Sequence, residues 1–83
     1  MRRIEVEFPE EVLLSLKEDE AEFARELRML AAAKLFELGK LSSGRAAQLA
    51  GVSRIEFLLS LGRYKVSPFH LTAEELERDV RNA

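Results

Sequence analysis

Cysteine and tryptophan are absent from these 83 residues, tyrosine and histidine occur once each, and there are only two prolines and four glycines. Without cysteine the chain has neither disulfides nor thiolate metal sites to supplement its core. The lone His70 has no cysteine or second histidine with which to hold a transition metal, and reads as an ordinary loop residue. Gly39, Gly44, Gly51 and Gly62 are too dispersed for a phosphate-cradling loop. No run approaches the roughly 18 apolar residues that span a bilayer. Met1-Arg2-Arg3-Ile4-Glu5 leads into alternation rather than an apolar run, so no secretory signal is expected and the cytoplasm is the default location. No membrane partner and no cofactor are expected. With no constellation of workable catalytic geometry, neither is an enzyme.

What is present is a globular balance of 47% hydrophobic and 34% charged residues, enough for one small domain over 1–83. A core of this size stabilises a fold only marginally, and an oligomeric interface is the cheapest supplement. The net charge is −2, but its distribution is uneven. Residues 1–39 carry six basic and ten acidic side chains. Residues 40–65 carry Lys40, Arg45, Arg54, Arg63 and Lys65 against Glu56 alone, and 66–83 carry Arg78 and Arg81 against Glu74, Glu75, Glu77 and Asp79. A basic middle between acidic ends is an electrostatic pointer to nucleic acid.

The pattern predicts a mainly α fold: a short N-terminal β-strand, a helical bundle containing a helix-turn-helix, and a short C-terminal helix. Residues 1–9 form the strand segment, since Arg3-Ile4-Glu5-Val6-Glu7-Phe8 alternates with period two. Residues 10–40 form the helical core segment: a short helix after Pro9, then one from an Asp19 cap to Leu38, ended by Gly39. This second helix has two apolar sides. Phe23, Ala24, Leu27, Ala31, Leu35 and Leu38 form one, and Met29, Ala32, Ala33 and Phe36 the other. Either both are covered by the chain's own elements or one faces another copy. The second outcome, together with an opening strand whose edge needs a partner, predicts a homo-oligomer, a dimer or higher. Glu18, Asp19, Glu20 and Glu22 read as a solvated helix start.

Residues 41–65 hold the informative stretch. Ser42 or Ser43 caps a helix to Ala50, Gly51 breaks it, and Ser53-Arg54-Ile55-Glu56 reads as a capping box opening a further helix toward Gly62. Ala47 supplies the small residue that a tight crossing needs, Gly51 the tolerance of positive φ, and Val52 with Ile55 or Phe57 the apolar contacts. If this helix-turn-helix meets DNA, Arg45, Ser53, Arg54, Arg63 and Lys65 are the contact candidates. The leucines beside them favour packing or protein contact instead, which leaves a protein-binding adaptor or oligomerisation module as the alternative. Residues 66–83 form the C-terminal tail: Val66 to Leu71 extended, then a helix opened by Thr72-Ala73-Glu74-Glu75.

Three runs carry a resemblance across nearly the whole chain: Phe8-Pro9-Glu10-Glu11-Val12, the stretch Ala33-Lys34-Leu35-Phe36-Glu37-Leu38-Gly39-Lys40-Leu41-Ser42-Ser43-Gly44-Arg45-Ala46-Ala47, and Ser53-Arg54-Ile55-Glu56-Phe57 with Gly62-Arg63-Tyr64. The chain resembles a family of small prokaryotic proteins regarded as predicted antitoxins, often encoded beside a PIN-domain ribonuclease toxin. The resemblance implies such a toxin as partner, and autorepression through the helix-turn-helix. The tail is the expected toxin-binding element. Ala73, Leu76 and Val80 make a narrow apolar stripe suited to a groove, and Arg78 or Arg81 can pair with the carboxylates of a nuclease site. Leu76, Arg78, Val80 and Arg81 are therefore the partner-binding candidates. Deleting residues 72–83 is expected to leave the melting temperature within a few degrees of wild type while abolishing capture of the toxin. A truncated chain that unfolds, or that still binds, contradicts this assignment.

Overall fold

The computed structural model describes residues 1–68. Helices α1 (Glu10–Leu16), α2 (Glu20–Glu37), α3 (Ser43–Ala50) and α4 (Arg54–Ser60) follow in order, and a 3-10 turn covers Leu61–Tyr64. Each start is set by a local hydrogen bond or a fixed dihedral. Pro9 stands at the α1 cap with φ −65°. Asp19 accepts from the Glu22 N–H at 2.8 Å, Ser42 from Arg45 at 3.2 Å and Ser53 from Glu56 at 3.1 Å. The ends are as local. Gly39 and Gly51 take φ +76° and +77°, the left-handed conformation that spares a glycine the Cβ clash. The expected helix to Gly62 ends instead at Ser60 and tightens into the 3-10 turn.

The expected N-terminal β-strand is not there, and the fold class is corrected accordingly: the described residues contain helices and no strand. Residues 1–8 are exposed, and the first backbone hydrogen bond outside the helices is Val12 N–H to the Pro9 carbonyl. Alternation specifies which side of a strand is apolar. It does not supply the neighbouring strand whose N–H and C=O groups complete a ladder, and the described residues, folded as helices, offer none. Phe8 alone is engaged, edge to face with Phe23 of α2 at 4.8 Å between centroids. The short C-terminal helix expected from Thr72 lies outside the described residues.

The core is drawn from residues 32–66. Ala32, Ala33 and Phe36 of α2, Ala46 and Ala47 of α3, Phe57 of α4, then Leu61 and Val66, form one buried cluster. Of α2's two apolar sides, the one holding Ala32, Ala33 and Phe36 faces inward. The four alanines let α2 and α3 approach closely, and Phe36 and Phe57 fill the space between, perpendicular to within 5° at 5.7 Å. Met29, Leu41, Leu49, Val52 and Leu58 close around them. By contrast, α1 buries no residue. Ala47→Leu would force extra volume between packed helices, at a cost of about 1–3 kcal/mol. A thermal melt should show a clear drop, and an unchanged melting temperature would place Ala47 outside the packed crossing.

Candidate functional site

Helices α3 and α4 are joined by Gly51, Val52 and Ser53 alone. The Gly51 N–H reaches the Ala47 and Gln48 carbonyls at 2.9 and 3.2 Å, and the Val52 N–H returns to Ala47 at 3.1 Å. Two side chains then fix this pair. Arg28 of α2 donates from Nε to the Leu49 carbonyl at 2.8 Å, placing a cation at the negative end of α3. Its guanidinium lies over Gly51, where an added Cβ would stand 3.4 Å from Nη2. Arg54 opens α4 and donates from Nε to Ser43 Oγ at 2.8 Å. Ser43 is fully buried, so this charged donor bonds to a hydroxyl shielded from water.

The DNA-contact candidates therefore separate. Arg45 is exposed and bonds Gln48 Oε1 at 2.9 Å through Nη1, an easily exchanged surface contact. Arg63 and Lys65 are exposed at and just after the 3-10 turn. Ser53 is exposed, with its hydroxyl accepting the α4 cap bond. Arg54 is half-buried and its Nε is engaged internally. Leu76, Arg78, Val80 and Arg81, like His70, lie outside the described residues. Sequence reasoning passed over both Arg28 and Ser43. Arg28 looks like one more surface charge on a helix, and Ser43 like a rival to Ser42 for the cap.

The outer face of α4 is apolar. Ile55 is 69% exposed and Leu59, one turn on, 80% exposed, while Phe57 and Leu58 point inward. The expected packing contact from the second helix is thus made by Phe57 and not by Ile55.

A second feature lies at the far end of α2. A shallow cleft of about 430 Å³ is lined by Glu18, Glu22, Arg25, Glu26, Met29 and Tyr64. Glu18 Oε2 is shielded from solvent, and with both carboxylates ionised it has no hydrogen-bond donor among the described residues. A hydrogen bond shared with the Glu26 carboxyl holds Glu18 up at about 7, aided by shielding from water and by the charges of Glu26, Glu22 and Asp19. Asp19 goes the other way. The Glu22 N–H it accepts, and Arg25 nearby, hold it below the ordinary carboxylate value. Among the described residues no group of three or more histidine, cysteine, aspartate or glutamate side chains is arranged to hold a metal ion. No described helix is long and apolar enough to cross a membrane.

The described residues thus define a small helical protein, built on a two-helix unit stapled to one longer helix. The chain belongs to an uncharacterised protein family, UPF0175, whose pattern matches residues 1–83. A UPF0175 protein of Aeropyrum pernix is 38% identical over 82 residues, covering 99% of this chain and 86% of the relative. One of Archaeoglobus fulgidus is 37% identical over 73 residues, covering 88% and 80%. A second from Aeropyrum pernix is 38% identical over 56 residues, covering 68% and 71%. No solved structure matches.

The shared proton gives a pH signature. Below pH 4.5 Glu18 is protonated in both the folded and the unfolded chain, and folding bears no electrostatic cost there. Between pH 4.5 and about 7 the unfolded chain releases a proton that the folded chain retains, so stability falls as pH rises. Glu18→Gln removes this component. Its melting temperature should exceed wild type above neutrality, with the difference shrinking toward pH 4.5. Parallel pH profiles for the two proteins would show that the carboxyls do not share a proton.

Proposed function

We propose that this protein is an antitoxin-like regulator. Its α3–turn–α4 unit serves as a helix-turn-helix that docks on operator DNA, and its tail binds and neutralises a partner toxin of the PIN-domain ribonuclease type. The observation that carries the DNA half is the rigid two-helix unit within the chain's basic stretch, residues 40–65, where Arg45, Arg63 and Lys65 are all exposed. Those three residues contact phosphates, with the Ser53 hydroxyl at the start of α4 beside them. Arg54 acts as a positioning residue that holds α4 against α3 through Ser43. The partner half rests on the resemblance to predicted antitoxins and on the tail's charged, narrowly apolar composition, with Leu76, Arg78, Val80 and Arg81 as its contacts.

One observation favours a second reading. A groove-reading helix presents polar groups to base edges, whereas α4 presents Ile55 and Leu59. On that reading the unit is an adaptor surface for another protein and contacts no DNA.

Fluorescence anisotropy with a duplex from the region upstream of the protein's own gene, repeated across salt concentrations, separates the two. Phosphate contacts release counterions, so affinity should fall steeply with salt. Arg45→Ala with Arg63→Ala should weaken binding and flatten the slope by about two units. Ile55→Ala with Leu59→Ala should leave that slope unchanged. Absence of salt-dependent duplex binding by the wild type would sink the DNA reading in favour of the adaptor.

A further inference from the structure

Only the second half of α2 is in the core. Its buried residues are Ala32, Ala33 and Phe36, and nothing before them is buried. Phe23 and Met29 are half-covered, by Phe8 and by the cluster around the core. On another side the helix presents Glu20, Ala24, Leu27, Ala31 and Lys34, with Leu38 just past its end, at alternating spacings of four and three. Such spacing is the seam of a helix packed along another helix. Ala24 is exposed, Leu27 and the adjacent Leu30 are each 43% exposed, and Leu38 is 57% exposed.

We infer that this seam is a dimer interface, occupied by the α2 helix of a second copy running antiparallel about a two-fold axis at Leu27. The seam's own charges select that occupant. Placing Leu27 against its counterpart sets Glu20 of each copy opposite Lys34 of the other, seven residues either side of the axis. A parallel pair would stack Glu20 on Glu20 and Lys34 on Lys34, and like charges held together are destabilising. Across the antiparallel seam Leu27 meets its counterpart at the axis, and Ala24 faces Leu30, a small side chain against a large one. Leu38 continues toward the corner between α1 and α2 of the second copy, where Leu16 is also exposed. Lys34 now pairs with Glu37 of its own helix at 2.7 Å. Lys34 itself is largely solvated, so its ammonium can be shared across the seam. The interface is self-complementary, as a two-fold dimer requires.

Sedimentation equilibrium of the full chain at micromolar concentration should report a dimer. Leu27→Glu should give a monomer of unchanged helicity, since Leu27 is no part of the buried core of one chain. Glu20→Lys and Lys34→Glu should each weaken association, and the two combined should restore it, because the ion pair reforms with its signs reversed. Leu27→Cys should form an intermolecular disulfide on air oxidation, readable without ambiguity in a chain that has no other cysteine. Leu59→Cys, on the exposed face of α4, should not. A monomeric wild type, a dimer that survives Leu27→Glu, a double charge swap without rescue, or cross-linking through Leu59→Cys in place of Leu27→Cys would each overturn the inference.

Discussion

Phe36 and Phe57 meet edge to face with no solvent contact, and the placement of the other elements follows from that contact. One ring comes from α2 and the other from α4, the longest and the last of the α-helices among the described residues, so their meeting brings distant parts of the chain together. Where α2 and α3 meet beside the rings, the buried residues are small: Ala32, Ala33, Ala46 and Ala47. Alanine allows helix backbones to approach until two phenylalanines fill the gap, and interiors at native density leave no slack for a different choice. Ala46 and Ala47 also fix where α3 lies, and with it the direction in which the chain leaves Gly51.

Polar tethers refine what the rings establish. Arg28 reaches from α2 to the carbonyl end of α3, and Arg54 reaches from α4 to the buried hydroxyl of Ser43. Each ties two helices through one charge-assisted hydrogen bond. The protein therefore uses some of its arginines as internal struts, and the remaining ones carry its positive surface. Counting charge along the sequence treats Arg45 and Arg54 alike. The structure separates them, because one guanidinium binds a neighbour on its own helix surface and the other binds across the core edge.

Features decided within four residues of one another were legible in the sequence. The Asp19 and Ser53 caps, and the terminators Gly39 and Gly51, depend on a side chain and a nearby backbone group, so local chemistry sufficed. The choice between Ser42 and Ser43 was left open, because both can cap and only burial separates them. Which apolar side of α2 turns inward was likewise undetermined, since periodicity marks two stripes and the alanines of α3 choose between them. The opening segment misled for the same reason in reverse. Arg3 to Phe8 has the period of a strand, but a strand is a relation between two segments, and the second was never in this chain's helices. Of the candidate site, the basic stretch was readable, while the internal use of Arg54 and the outward turn of Ile55 needed the three-dimensional arrangement.

The one-sided core has a consequence for how the chain is made. Synthesis runs from the N-terminus, so α1 and the first half of α2 leave the ribosome before any residue of the buried cluster except those of α2 itself. A seven-residue helix is too short to persist alone in water. Phe36 has no aromatic partner until Phe57 has emerged, and the cluster is incomplete until Val66 follows. Val6, Leu14, Leu27 and Leu30 are exposed even in the finished fold, flanked by the acidic residues of the first half. Those carboxylates keep the unfinished chain apart from its neighbours until the last third of the sequence supplies the contacts that close the fold.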